Sequence, residues 1–234
     1  MNRIFTWISG AALGLAMVSS ANAATMQFDV GRDDTAGNIN GITWLAQNVL
    51  NAIDTTGAAT GISLTVTSPT GFNEAGPNDS GTAAPGAPAS NFFSGDTTND
   101  ALFGHSNNFN VGAPRALVEY TIAGLNPALT YDFTFYASRG TVTDNRESQY
   151  DVVGANAGQA LLDAGNNVSN IAQALGIAPT AGGNITLTIQ KGPNNTNGSG
   201  FFYLGGLDVT SVPEPASLGL MGLGGLLITA RRRA

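Results

Sequence analysis

The chain has 234 residues, 31 of them glycine, no cysteine, 11% charged side chains and a formal charge of −7. The missing cysteine excludes disulfides, thiolate metal centres and cysteine nucleophiles. Between Ala24 and Ser211 five basic residues (Arg32, Arg115, Arg139, Arg146, Lys191) stand against fifteen acidic ones, a surface that repels phosphate backbones and leaves no expectation of a nucleic-acid partner.

The N-terminus reads Met1-Asn2-Arg3, an apolar run from Ile4 to Val18, then Ser19-Ser20-Ala21-Asn22-Ala23-Ala24. A positive start, a short apolar stretch and small residues at an A-x-A site predict a signal peptide over residues 1–23, cut between Ala23 and Ala24, with Ala21 at the other recognition position. The body, residues 24–210, is predicted to be one domain. Few charges with many Gly, Asn and Thr point to short strands and polar turns.

Alternating runs predict strands at Met26–Val30, Ile62–Thr67, Ala116–Ile122, Tyr131–Tyr136, Gln149–Val153 and Ile185–Ile189, with Phe201–Leu204 and Leu207–Val209 closing the domain. Tyr131, Phe133 and Phe135 should share one face. Ile42 to Ile53 has helix-like spacing of Trp44, Leu45, Val49 and Leu50, and Leu161 to Leu175 fits either helix or strand. Thr70 to Ser90, rich in Pro and Gly, is predicted to be a long loop, functional or mobile. Together these elements predict an all-β fold, an antiparallel β-sandwich.

After this body comes Val212-Pro213-Glu214-Pro215, an apolar segment from Ala216 to Ala230, and Arg231-Arg232-Arg233-Ala234. The two prolines hold the Pro-Glu-Pro segment extended. The apolar segment is fifteen residues, short of the roughly 20 that a stable span prefers. The arginines would stay on the cytoplasmic side of the inner membrane. Residues 211–234 resemble the PEP-CTERM sorting signal. That resemblance implies an exosortase and the export machinery as partners, a short transmembrane tail cleaved near Pro-Glu-Pro, and delivery to the surface or extracellular matrix of a Gram-negative bacterium that makes exopolysaccharide, often in biofilms.

In the body, the turn Gly124-Leu125-Asn126-Pro127 precedes Tyr131-Asp132-Phe133-Thr134-Phe135, then Ala137-Ser138-Arg139-Gly140 and Asp144-Asn145-Arg146. The order resembles a stretch of galactose-binding-like jelly-roll modules of secreted bacterial proteins, as do the opening Phe28-Asp29-Val30-Gly31 and Asp100-Ala101-Leu102-Phe103-Gly104. The resemblance implies a jelly roll and raises the expectations of glycan binding and of a structural calcium.

The residue inventory favours binding over catalysis. A single histidine, His105, cannot build a three-His zinc or two-His iron site, and Gly-x-Ser-x-Gly is absent. In Gly104-His105-Ser106-Asn107-Asn108 it reads as a polar turn residue. Glu74, Glu119 and Glu147 are the candidates for a hydrolytic carboxylate pair, without a spacing that joins any two. Calcium would take Asp29, Asp33 and Asp34 beside Asn38, or Asp96, Asn99 and Asp100; turns that cap their own backbone are the alternative. A saccharide would use Trp44 as platform with Arg139 and Arg146 as donors, and Tyr136, Tyr150 or Phe109 as further aromatics. Core filling is the alternative for each ring. The expectation is a non-enzymatic envelope or exopolysaccharide-matrix protein, structural or binding. A carbohydrate-binding module and a secreted hydrolase are the alternatives.

Overall fold

The computed structural model describes residues 23–32, 37–43, 49–68, 71–72, 77–107, 109 and 114–213. The predicted signal segment up to Asn22 and the tail from Glu214 onward lie outside them, and so do Asp33, Asp34, Trp44 and Glu74. Among the described residues thirteen strands run in chain order: β1 (Thr25–Gly31), β2 (Asn40–Thr43), β3 (Leu50–Ile53), β4 (Ala59–Val66), β5 (Leu102–His105), β6 (Leu117–Ala123), β7 (Leu129–Tyr136), β8 (Glu147–Val153), β9 (Ala157–Asp163), β10 (Ala172–Ile177), β11 (Ile185–Lys191), β12 (Phe201–Leu204) and β13 (Gly206–Pro213). No helix among the described residues is long and apolar enough to cross a membrane.

The strands form two large sheets, ordered β10-β7-β13-β1-β2 and β3-β4-β6-β11-β8-β9, with β12 and β5 as a separate ribbon. All pairings are antiparallel except β1 with β2. The pairs β8·β9, β7·β10, β6·β11 and β1·β13 nest one outside the next and alternate between the two sheets. The sheets stack as the predicted β-sandwich. Phe135 of one lies parallel to Tyr150 of the other, centroids 4.3 Å apart, inside one continuous core that also holds Phe28, Phe133, Ile122, Leu187 and Val209.

Alternation explains β11 and β6, whose inward residues Ile185, Leu187, Ile189, Val118 and Tyr120 are buried between half-exposed neighbours. It does not explain β1 and β7, which are buried on both faces towards their Gly31 and Tyr136 ends. The outer face there is covered by Ala89, near the end of the segment expected to be a long loop, and by the residues that follow it, Phe92 to Thr98. Ala89 and Phe93 pack on Tyr136, the Gln27 amide donates to the Phe92 carbonyl at 2.6 Å, and Ser94 caps a one-turn helix, Gly95–Thr98, on which Thr97 and Thr98 are buried. The helix-like spacing at Ile42–Ile53 is overturned: its described ends are β2 and β3. The ambiguous Leu161–Leu175 contributes the end of β9 and the start of β10.

Gly124 shows why the predicted turn needs its glycine. Its φ is +83° and a Cβ would lie 2.4 Å from the Gly61 carbonyl oxygen, so an L side chain is excluded twice over. The Tyr131 hydroxyl then accepts the Asn126 backbone N–H at 2.9 Å and fixes the entry to β7. The boundary expected at Thr210 falls inside β13, which continues to Pro213.

Candidate functional site

A cleft of about 500 Å³ opens at the end of the sandwich where β7 leaves and β8 enters. Its wall comes from the covering segment (Pro77 to Ser80), its floor from Phe103, Phe109, Phe201 and Tyr203, and its cations are Arg139 and Arg146.

Arg139 is placed by backbone. Its N–H donates to the Ala164 carbonyl at 2.7 Å, and its own carbonyl accepts from Asn166 at 2.8 Å. Behind it buried Asn167 gathers the loop, donating to the Ala137 carbonyl at 2.9 Å while its carbonyl accepts the Ser138 hydroxyl at 2.6 Å and the Tyr136 hydroxyl at 3.1 Å. The Arg139 side chain donates to the Gly140 carbonyl at 2.9 Å. Among the described residues no carboxylate pairs with it.

Arg146 is more enclosed. Its backbone N–H donates to the Asp163 carboxylate at 2.9 Å. The guanidinium donates to Asp144 at 3.0 Å and to the Tyr203 hydroxyl at 2.6 Å, and its carbon sits 5.4 Å from the Phe201 ring centroid. Burial acts against the Arg146 charge, but the Asp144 contact and then Tyr203 outweigh it, so its pKa lies above the ordinary arginine value. The Asn197 amide and then Arg146 hold the Asp144 carboxyl below the usual carboxylate range. Burial pushes the Tyr203 phenol up, against the pull of Arg146, so it stays protonated at neutral pH.

The floor is an edge-to-face aromatic cluster. Phe201 meets Phe109 at 4.8 Å and Phe103 at 5.5 Å, and Phe103 meets Phe109 at 6.1 Å. Asp79 is the only carboxylate among the described lining residues, and it is ion-paired with Arg32 across the rim.

Of the residues expected to bind a ligand, Arg139 and Arg146 come together, with Phe109 beside them; Trp44 lies outside the described residues. Tyr136 and Tyr150 are fully buried, so as platforms they are corrected: each fills the interior, Tyr150 donating to the Tyr203 carbonyl at 2.7 Å. Phe103, Phe201 and Tyr203 were not foreseen as site residues. Their signal was the aromatic run Phe201-Phe202-Tyr203, read only as a closing strand.

His105 is also corrected. It ends β5, is buried, and packs against Phe109 at 5.7 Å with Nδ1 2.6 Å from the Asn107 carbonyl. Glu147 does not pair with a cation: its carboxylate accepts from the Asn194 backbone and side chain at 2.9 and 3.0 Å. Glu119 accepts the Thr67 hydroxyl at 2.8 Å. Of the three carboxylates expected to hold calcium, Asp29 is buried in β1, and Asp33 and Asp34 lie outside the described residues. From the second Asx cluster, the Asp100 carboxylate accepts the Arg32 backbone N–H at 3.0 Å. Among the described residues no group of three or more His, Asp or Glu gathers as for a metal.

At the other end of the sandwich Ala24 and Ser211 lie side by side. The Ala24 backbone N–H donates to the Ser211 hydroxyl at 2.8 Å, and the Ser211 backbone N–H donates to the Ala24 carbonyl at 2.9 Å. Val212 and Pro213, the described part of the expected sorting residues, continue β13 opposite Thr130 and Leu129.

No curated protein and no solved structure matches the chain. A family model of the PEP-CTERM protein-sorting motif matches residues 211–233. The chain therefore carries a PEP-CTERM sorting motif at its C-terminal side and is an exported, exosortase-sorted protein, anchored transiently in a membrane before it is sorted to the cell surface.

Proposed function

We propose that the body is a non-catalytic binding module of the envelope or exopolysaccharide matrix of a Gram-negative bacterium, and that its Arg139–Arg146 cleft takes an acidic saccharide. One observation carries this reading. Two of the five cations of an acidic body line the same cleft, and one of them, Arg139, has no carboxylate partner among the described residues. A planar guanidinium can donate one N–H to each oxygen of a carboxylate, and the aromatic floor offers apolar surface to the C–H face of a sugar ring. The nested pairing of β1·β13, β6·β11, β7·β10 and β8·β9 is what a long hairpin rolled across two sheets gives, which supports a jelly-roll reading. Fold alone assigns no activity.

The rival reading, a secreted hydrolase, needs two converging carboxylates. The described cleft walls supply Asp79 alone, already committed to Arg32, so binding is the better supported. The test is a glycan array probed with the exported protein, with and without added calcium. Retention on uronate-bearing glycans supports the proposal. Binding to no glycan in either condition removes it, and release of reducing ends during incubation would favour the hydrolase instead. A calcium requirement would point to the Asp29–Asp34 stretch.

A further inference from the structure

The sorting motif does not start where the folded body stops. Its first three residues, Ser211, Val212 and Pro213, are the last three of β13. β13 is an inner strand, between β7 and β1. Val212 lies opposite Thr130 and Pro213 opposite Leu129 on β7; on the β1 side Ser211 donates its backbone N–H to the Ala24 carbonyl, and its buried hydroxyl accepts the Ala24 backbone N–H. Ala24 is also the residue that signal cleavage after Ala23 would leave first. Both processing points therefore emerge from adjacent strands at one end of the sandwich.

An enzyme that takes a peptide extended in its cleft binds it largely through main-chain hydrogen bonds. The Ser211 N–H is committed to the Ala24 carbonyl and Val212 is paired with Thr130 in the sheet, and a backbone so engaged cannot serve both. The hold is modest, because Pro213 has no N–H to donate and the paired register with β1 ends at Thr25 opposite Thr210. Strand ends open locally at a small fraction of the global unfolding free energy.

We propose that this strand end is a latch on sorting: the processing enzyme takes the Pro-Glu-Pro segment only from chains whose residues 211–213 have left the sheet or have not yet entered it. Folding of the body then sets the pace of tail processing, and a well-folded body slows it. The interaction surface presented to the enzyme is the end formed by Ala24, Ser211 and the β7 entry at Leu129–Thr130. The proposal is independent of what the cleft binds.

A clamp tests it. The chain has no cysteine, so Thr130→Cys with Val212→Cys creates a single possible disulfide. Opposed antiparallel residues have Cα atoms about 4.5–5.5 Å apart, inside the range a disulfide spans, and the bond forms in an oxidising exported compartment. In cells carrying the exosortase, intact-mass analysis should find the oxidised variant with its tail retained and the reduced variant processed. A second variant inserts about six Gly/Ser residues after Ser211, ~20 Å when extended, and moves the Val-Pro-Glu-Pro segment clear of the sheet; pulse-chase should show faster tail loss than in the unmodified protein. Processing of the oxidised clamp at the unmodified rate overturns the proposal, and so does a spacer variant no faster than the parent. If Val212→Cys alone blocks processing under reduction, the spacer result decides.

Discussion

At one end of the sandwich β13 begins at Gly206 opposite Tyr136, and the chain around it makes long excursions: Ala137–Arg146, Gly192–Gly200 and the covering segment from Pro77. At the other end β13 stops at Pro213 opposite Leu129, about 25 Å away at the usual strand rise. The connections there are tight, with Gly124, Gly183 and the Gly154–Asn156 turn closing on neighbouring carbonyls. The same strands thus hold a cleft of cations and aromatic rings at one end and, at the other, the start of the sorting motif beside Ala24. Loop length, not strand identity, makes the difference: long Asn- and Gly-rich connections carry polar groups outward and leave a hollow, and the shorter turns at the other end pack closely on their neighbours. A chain held by its tail presents the cleft away from the point of attachment.

The largest effect should come from the layer both ends share. Phe135→Ala removes the ring stacked on Tyr150 and should cost about 3–5 kcal/mol in denaturant unfolding, with loss of ligand retention and faster tail processing together. If only one function fell, the two ends would not depend on a common core.

Next, the two cations separate structure from binding. Arg146→Ala leaves Asp144 and Tyr203 without their partner and should cost about 1–3 kcal/mol of stability together with binding. Arg139→Ala, which among the described residues gives up one side-chain hydrogen bond, to the Gly140 carbonyl, should stay within about 0.5 kcal/mol of the parent in stability. It should nevertheless weaken uronate binding by roughly 10- to 100-fold, the equivalent of about 1.5–3 kcal/mol for a charge-assisted contact. Equal losses of stability for the two would break the distinction; calorimetric melting beside a binding titration measures both.

At the tail end, Ser211→Ala removes the hydroxyl that holds Ala24 and should cost about 1 kcal/mol, with a modest gain in processing rate in the pulse-chase assay. The smallest effect lies midway. Burial raises the Asp208 carboxyl above its usual 3.8, partly offset by Thr210 and Gln27. The folded state therefore holds this proton more tightly than the unfolded chain, so Asp208 contributes stability at acid pH that is lost as pH rises from near 3.8 through the raised folded value. Asp208→Asn should flatten that segment of the stability curve and raise the melting temperature at neutral pH. A steeper curve in the variant would contradict the sign.

Much of this was legible in the residues. The alternation of Ile185-Thr186-Leu187-Thr188-Ile189 and the Gly124–Pro127 turn gave β11 and the entry to β7 directly, because a half-buried strand and a left-handed glycine leave unambiguous marks. Helix-like spacing over Ile42–Ile53 misled at its described ends because four-residue strands such as β2 and β3 are too short to display a period. The covering role of Phe92 and Phe93 was hidden, since they directly follow a Pro- and Gly-rich segment that gives no sign that the chain will turn back onto a sheet. At the site, Arg139 and Arg146 stood out as rare cations, but the rings beneath them did not. Phe103 and Phe201 lie almost a hundred residues apart in sequence and meet only through the β5·β12 pairing. The engagement of Val212 and Pro213 with β7 was equally invisible, because proline reads locally as the end of a strand.

The most direct test of the binding account is a calorimetric titration of the exported protein with one acidic polysaccharide and with its carboxyl-reduced counterpart, repeated with Arg139→Ala. The account predicts that the acidic form binds, that binding weakens as salt is raised, and that both the reduced polymer and the Arg139 variant lose most of the affinity. Equal affinity for the two polymers, or an Arg139→Ala protein that binds the acidic form as tightly as the parent, would contradict it.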